Sequence, residues 1–126
     1  MIEIETDNVQ LELRSHCQKW LSFVATGDFD AAGKLIDAPN CYGINWGKKE
    51  IFEVVEDYFG EDVKINIHNR VLADCEPSYL ERNDGGLLYD FNLFINDELT
   101  DLTVMFEFNP KRNRTFEVVI HDIHVL

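Results

Sequence analysis

The sequence has few cysteines and no long apolar run, and each shortage excludes a class of protein. Its three cysteines, Cys17, Cys41 and Cys75, are far apart in the chain, so it contains neither a disulfide framework nor a paired-cysteine metal or redox motif. No apolar stretch approaches the ~20 residues that a membrane-spanning helix requires. The first residues also lack the basic start and apolar stretch of a signal peptide. We therefore expect reduced thiols, a cytoplasmic location and no membrane partner.

Basic residues are also scarce. Eleven lysines and arginines stand against 24 acidic residues, which leaves a formal net charge of −13 at pH 7. A field of this sign repels nucleic-acid phosphates and anionic lipid head groups. The one basic cluster, Lys111, Arg112 and Arg114, lies beside Pro110 in a predicted turn, where solvated charges are common. We therefore expect no nucleic-acid partner, and we expect a basic protein to be attracted quickly.

The length and composition indicate one globular domain. The chain has 126 residues, of which 45% are hydrophobic, 28% charged and 12% aromatic. A chain of this length can bury roughly two thirds of its unfolded surface in a single core. No internal repeat, low-complexity segment or linker divides it, so residues 1–126 are expected to form a single domain.

The first half of the chain has the hydrophobic period of helices. After Asn8, a favourable N-cap residue, apolar side chains recur at steps of three and four. These are Val9, Leu13, Cys17, Trp20, Leu21 and Val24. A short second helix is predicted over 28–36 and a loop over 37–47. A third helix is predicted over 48–59, with Gly60 as its C-terminal stop.

The second half has the period of strands. Apolar and polar residues alternate over 63–68, 87–95, 102–108 and 116–121, and 71–80 is predicted to add a less regular strand. Turn signals join neighbouring strands as hairpins, so the sheet is expected to be antiparallel. Helices followed by a strand meander predict an α+β fold, in which N-terminal helices pack on one face of a curved antiparallel sheet.

Two groups of polar residues have the composition of metal-binding or acid–base sites. His121 and His124 resemble metal ligands, but an offset of three residues predicts opposite faces of a strand. Asp90 could share a sheet face with Glu107 or Glu117 and act with it as an acid–base pair. The solvated face of the sheet explains the same carboxylates. We therefore expect no metal site and no catalytic carboxylate pair.

No nucleophile or cofactor motif is complete. Ser15, Ser22 and Ser78 lack a nucleophile-elbow setting, and no base or orienting group is visible beside them. No glycine-rich loop is followed by the lysine and Ser/Thr pair that holds a phosphate. We therefore expect no cofactor.

An aromatic loop over 41–46 is the remaining candidate. Trp46 in this loop, and Tyr79 and Tyr89 elsewhere, provide large rigid surfaces that serve as interface anchors or as core. Both alternatives stay open for Trp46. Trp20, inside the apolar helical stripe, is assigned to the core.

Several segments resemble a known family. Trp20 and Phe23 lead into Gly27-Asp28-Phe29-Asp30 and Leu35-Ile36-Asp37, and this opening, followed by a helix and a strand meander, resembles the nuclear transport factor 2-like cone fold. Four motifs of the C-terminal third are more specific: Tyr89-Asp90-Phe91, Asp101-Leu102-Thr103-Val104, Phe116-Glu117-Val118 and Asp122-Ile123-His124-Val125. They are similar to a bacterial family of cone-fold domains with an Asp-Leu-Thr strand and an Ile-His-Val ending. Related small domains are immunity proteins that accompany bacterial toxins.

The resemblance implies an immunity protein, which binds a cognate toxin domain and blocks it. An acidic inhibitor is suited to a basic toxin that cuts nucleic acid. The candidate toxin-binding residues are Glu53, Glu56, Asp57, Glu61 and Asp62 at the end of the third helix, Asp97 and Glu98 in a second patch, and Trp46. The residues that match the family motifs, Asp101, Thr103, Asp122 and His124, are expected to be mainly structural.

Two other function classes stay open. A small cone-fold enzyme would enclose an apolar pocket between the sheet and the helices. Its candidate acids or bases are Tyr89, Asp90 and His121. A ligand-binding homodimer would instead use an exposed apolar sheet face formed by Phe94, Leu88 and Met105.

Overall fold

Helices come first in the chain and most of the sheet follows, as the change of hydrophobic period predicts. A computed structural model describes residues 1–125. Its elements are β1 (Ile2–Glu3), α1 (Val9–Ala25), α2 (Phe29–Gly33), α3 (Lys48–Phe59), a 3-10 helix (Leu72–Asp74), β2 (Ser78–Glu81), β3 (Leu87–Ile95), β4 (Glu98–Arg112) and β5 (Thr115–Val125). The predicted start of α1 and both predicted ends of α3 are confirmed.

Local hydrogen bonds explain where the helices begin and end. The Asn8 side chain caps α1 by accepting a hydrogen bond from the N–H of Leu11 at 3.2 Å. At the start of α3, the Glu50 carboxylate accepts from the N–H of Gly47 at 3.0 Å. Gly60 ends α3 with a φ of 99°, a backbone conformation that other residues rarely adopt.

The five strands form one antiparallel sheet in the order β1-β5-β4-β3-β2. Two long hairpins, β3–β4 and β4–β5, make its centre. Register shifts beside Asn92, Phe106 and Pro110 mark irregular pairing, which increases the local twist. The sheet curls into a half-barrel, which confirms the α+β class and is compatible with a cone-like fold.

The core lies between the helices and the inner face of the sheet. Every second side chain of β3, from Leu87 to Ile95, is buried, as the alternation predicts. Trp20 of α1 packs edge-on against Phe91 and Phe106, with ring centroids 6.3 and 5.5 Å away. Large aromatic side chains therefore fill the space between α1 and the inner face of the sheet.

Membrane-spanning helices are not found in the described part of the chain. The longest helix, α1, has 17 residues. Within residues 1–125, no helix is long and apolar enough to cross a bilayer.

The strand predicted over 63–68 is wrong. Ile67 forms only an isolated bridge with the end of β3. The Asn96 side chain, just beyond β3, takes the place of a strand partner, because it accepts from the N–H of Asn66 at 2.9 Å and donates to the Lys64 carbonyl oxygen at 2.8 Å. Two backbone bonds, from the N–H of His68 to the Phe94 carbonyl oxygen and from the N–H of Asn96 to the Asn66 carbonyl oxygen, accompany these side-chain bonds, so a mixed set of hydrogen bonds holds the segment where a regular ladder was expected.

Three smaller differences concern short elements. The second helix ends at Gly33, and the residues up to Ile36 continue as hydrogen-bonded turns. The stretch 71–80 contains the 3-10 helix and the start of β2, with Pro77 between them. No sequence pattern predicts β1, which has only two residues.

A bulge in β5 changes which side chains share a face. Consecutive residues of β4 pair with Ile120 and Asp122, so His121 is an extra residue without a partner in β4. The extra residue resets the alternation, and His121 and His124 both lie on the outer face of the sheet. Their predicted placement on opposite faces is wrong, since an offset of three residues implies opposite faces only in a regular strand.

Candidate functional site

The predicted acidic contact residues are all exposed and gather at one end of the molecule. We call them the acidic surface: Glu53, Glu56 and Asp57 on α3, Glu61 and Asp62 after it, and Asp97 and Glu98 at the β3–β4 turn. The Tyr58 hydroxyl at the end of α3 lies 3.4 Å from the backbone nitrogen of Asp101 near the start of β4. The segment after α3 also bonds to the β3–β4 turn through Asn96. These contacts bring the two predicted patches together.

The carboxylates of α3 are placed where they destabilise the helix. Glu53 is three residues before Glu56 and four before Asp57, so like charges are neighbours on the helix surface. Glu56 and Asp57 lie in the last turn, which has no basic residue, at the negative end of the helix dipole. Within residues 1–125, none of the three carboxylates forms an ion pair. Helix stability therefore does not explain these charges.

The turn half of the acidic surface combines left-handed backbone with a highly exposed carboxylate. Asn96 and Asp97 have φ values of 50° and 66°, in the left-handed region that turns use. The Asp97 carboxylate lies 3.5 Å from His68 Nε2, yet its side chain is 91% exposed. This carboxylate is accessible to a partner protein.

Trp46 lies near the acidic surface, at the edge of the hydrophobic core. Its side chain is half-buried and packs against the hydrophobic core. Its indole Nε1 is buried, but no acceptor within residues 1–125 is in hydrogen-bonding distance. A buried N–H without an acceptor is uncommon and costly. Packing therefore accounts for the position of the ring and leaves its polar atom unexplained.

Two polar side chains hold the aromatic loop against β5. The Asp37 carboxylate accepts from the N–H of Val118 at 2.7 Å. Asn40, only 6% exposed, donates to the His121 carbonyl oxygen at the bulge and accepts from two loop N–H groups, each contact measuring 2.9 Å. Sequence reasoning missed both residues, although Asp and Asn in loops commonly bond nearby backbone groups.

A groove beside Trp46 separates α3 from the end of β5. We call it the α3–β5 groove, and its volume is about 550 Å³. Apolar side chains, two carboxylates and a histidine line it: Trp46, Val54, Tyr58 and Ile123, with Asp57, Asp122 and His124. It thus joins two predicted contact residues, Trp46 and Asp57.

A second polar group meets on the outer face of the sheet. Glu107 accepts from Arg82 Nη1 at 3.0 Å and lies 2.9 Å from His121 Nδ1. Asp90 lines the same cleft, of about 250 Å³. Burial raises the pKa of the Asp90 carboxyl group, and the charge of His121 partly opposes this. Glu107 is therefore the candidate partner that shares the cleft with Asp90, whereas Glu117 pairs with a lysine of the β4–β5 hairpin.

Gly86 makes room for Arg82 in this cluster. A Cβ atom placed on Gly86 would lie 2.1 Å from Arg82 Nη2, so the guanidinium passes directly over the glycine. Arg82 also contacts Asp84 and Asn109, at 3.1 and 2.7 Å. The sequence alone gives no sign of this role, because Arg82 and Glu107 are far apart in the chain.

The two candidate tyrosines are separated from that cleft by the sheet. Tyr89 is fully buried on the inner face, and its hydroxyl accepts from Arg14 Nε at 2.9 Å. Burial raises the pKa of Tyr89, and Arg14 opposes the shift. The Tyr79 hydroxyl donates to Glu81 at 2.9 Å, and burial together with Glu81 raises the pKa of Tyr79 to about 12. Both hydroxyls therefore stay protonated at neutral pH and act as structural donors or acceptors.

The residues that match the family motifs make local contacts. The Thr103 hydroxyl donates to Asn92 Oδ1 at 2.9 Å. Asp122 accepts from the N–H of Ile123 at 2.8 Å and lies 2.5 Å from His124 Nδ1. Within residues 1–125, no group of three or more potential ligands could hold a metal ion.

The apolar patch expected for a homodimer is partly covered. The Arg70 guanidinium carbon lies 4.0 Å from the centroid of the Phe94 ring, and His68 packs edge-on against the same ring at 5.6 Å. Leu88 and Met105 line the outer-face cleft among charged residues. These three apolar side chains therefore do not form one bare apolar face.

In comparisons with known proteins, no protein-family model matches the chain and no curated protein is significantly similar to it. Its function is therefore inferred from the surface chemistry described above.

Proposed function

We propose that this protein is an immunity protein that binds a basic bacterial toxin domain through the acidic surface and neutralises it. The observation that carries the proposal is the unpaired charge on α3. Glu53, Glu56 and Asp57 are exposed and repel one another, and Glu56 and Asp57 lie in the last turn, at the end of the helix that disfavours negative charge. Charges that lower stability in this way are typical of functional surfaces, where stability and function trade off.

The chemistry of the partner follows from the sign of the charge. A net charge of −13 accelerates encounter with a basic surface and repels nucleic acid. A toxin that cuts nucleic acid holds phosphates with lysine and arginine side chains, and the acidic surface offers carboxylates in their place. The protein then inhibits by covering the toxin's active site, with no substrate and no turnover.

The proposal includes the nuclear transport factor 2-like cone fold and a cytoplasmic location. The order of helices before a curled antiparallel sheet supports the fold. So does the pairing of the two most specific motifs, because Thr103 of the Asp-Leu-Thr strand lies directly opposite His124 of the Ile-His-Val ending.

A pull-down from the source organism tests the function, with retained proteins identified by mass spectrometry at low and high salt. The baits are the native protein and two charge-reversed variants. One carries Glu53→Lys, Glu56→Lys and Asp57→Lys; the matched control carries Glu3→Lys, Glu5→Lys and Asp7→Lys, which change the net charge equally at exposed N-terminal positions. We expect the native protein and the control to retain one basic domain, less strongly at high salt, and the α3 variant to lose it.

The retained domain must also behave as a toxin. Expressed alone it should arrest growth, and co-expression of the native protein should restore growth. Retention of nothing, or equal retention by both variants, would overturn the proposal.

A second candidate function, binding of a small cationic ligand, is favoured by the outer-face cleft. Asp90 is a partly desolvated carboxyl group there, beside the apolar side chains of Leu88 and Met105. A thermal-shift screen of small amines tests it. A stabilising amine whose effect disappears in Asp90→Asn would support this function over toxin binding.

A further inference from the structure

The α3–β5 groove has the shape and chemistry of a docking site for a chain segment. Its volume of about 550 Å³ lies within the range of small-ligand pockets and accommodates side chains of a partner. We propose that it receives an extended, basic segment of a partner protein, in which lysine or arginine alternates with apolar residues. This inference rests on the proposed function and identifies where on the acidic surface the toxin is held.

Asp57 supplies the charge that selects a basic residue. Asp122, the other carboxylate of the groove, already contacts His124 with one oxygen and the N–H of Ile123 with the other. Asp57 is exposed and forms no ion pair within residues 1–125. Glu53, one turn earlier on the same side of α3, reinforces its field. A lysine or arginine placed beside Asp57 meets a carboxylate that has no ion-pair partner within residues 1–125, because His124 in the same groove pairs with Asp122.

Trp46 and Tyr58 supply the surface on which such a side chain lies. The long methylene chains of lysine and arginine pack on aromatic rings while the charged end reaches a carboxylate. Apolar contacts to Val54 and Ile123 take the alternate residues of an extended segment. Tryptophan and tyrosine in such positions commonly dominate the energy of an interface.

The buried indole N–H of Trp46 is a second, independent feature of the same site. It has no acceptor within residues 1–125, and an extended segment carries a row of backbone carbonyl groups. Because this N–H is buried, it reaches such a carbonyl only if the aromatic loop opens, and the bond would then remove the penalty of an unsatisfied buried donor. A peptide backbone in the groove would therefore add a hydrogen bond that a purely ionic contact cannot supply.

Nuclear magnetic resonance of the labelled full chain tests the inference without the toxin. The chain has two tryptophans, and the indole N–H signals of Trp46 and the buried Trp20 report on the groove and on the core. The probe is the acetylated, amidated peptide Lys-Leu-Lys-Leu-Lys, and the control peptide is Glu-Leu-Glu-Leu-Glu. We expect the basic peptide to shift the Trp46 signal saturably and to leave Trp20 unchanged, and the acidic peptide to shift neither.

Two matched variants separate the groove from general charge attraction. Asp57→Asn should weaken binding of the basic peptide about fivefold, and Glu61→Gln, which removes one exposed charge outside the groove, should weaken it about twofold or less. Trp46→Phe keeps an aromatic ring but removes the N–H, and should weaken binding about tenfold. Absence of a Trp46 shift, or equal weakening by Asp57→Asn and Glu61→Gln, would overturn the inference.

The two proposals fail in different ways. Peptide binding in the groove without capture of any toxin would contradict the immunity proposal and still support the docking site. Capture of a toxin whose affinity is unchanged by Asp57→Asn and Trp46→Phe would contradict the proposed docking site and still support the immunity proposal.

Discussion

At the scale of single residues, His16 makes the stability of the folded protein depend on pH. Its Nε2 lies 2.9 Å from the Leu35 carbonyl oxygen, which only accepts, so Nε2 carries the hydrogen. Burial lowers the pKa of His16 from its ordinary value of 6.5, and the bond to Leu35 partly opposes this. The unfolded chain therefore takes up a proton on this ring at a higher pH than the folded protein does.

We expect this difference to make stability fall in acid. Well above pH 6.5 His16 is neutral in both states and contributes no pH dependence. As the pH drops below that value towards the lower folded pKa, protonation favours the unfolded state and the free energy of unfolding decreases.

His16→Gln keeps a donor for Leu35 but cannot be protonated, so it should flatten the dependence of the free energy of unfolding on pH in that window. Urea unfolding at a series of pH values measures this. A His16→Gln profile as steep as the native one would contradict the assignment.

At the scale of elements, the aromatic loop depends on Asn40. Asn40→Ala would leave the His121 carbonyl and two loop N–H groups without their partner in a buried position. We expect a loss of about 2 kcal/mol in the free energy of unfolding, because unsatisfied buried polar groups are costly. Urea denaturation measures the loss, and the indole signal of Trp46 should shift in the folded variant.

Asn45→Ala, in the same loop but exposed, is the matched control. It should change the free energy of unfolding by less than about 0.5 kcal/mol. If the two variants lost the same stability, the loop would be held by something other than Asn40.

The elements also show how far sequence reasoning reaches. The start of α1 at Asn8 and the end of α3 at Gly60 are set within one helical turn, so nearby residues predict them. Two other features depend on residues distant in the chain: the bulge at His121 and the hydrogen bonds between Asn96 and the segment 63–68. Local periodicity therefore cannot predict them.

The candidate site divides in the same way. The period of α3 predicts that Glu53 and Asp57 are exposed. That Asp57 shares a groove with Trp46 depends on how the loop packs against β5, which no local pattern encodes.

At the scale of the whole molecule, the acidic excess opposes folding. Like charges repel in the compact state, and a net charge of −13 has few basic residues to offset it. Neutralising α3 with Glu53→Gln, Glu56→Gln and Asp57→Asn should therefore raise the free energy of unfolding by about 1 kcal/mol at low salt. The gain should shrink at high salt, because screening weakens the repulsion in the native protein.

Carboxylates that have partners should behave in the opposite way. Glu107 pairs with Arg82 at 3.0 Å and Glu117 with Lys111 at 3.6 Å, so Glu107→Gln and Glu117→Gln together should lower stability. Urea unfolding of both variants at low and high salt separates charges that stabilise the fold from charges that destabilise it.

The neutral α3 variant should also lose its partner, because the charges that destabilise α3 are those that attract the toxin. If the neutral α3 variant were no more stable than the native protein, the carboxylates of α3 would not destabilise the fold. Their presence would then need no explanation by binding.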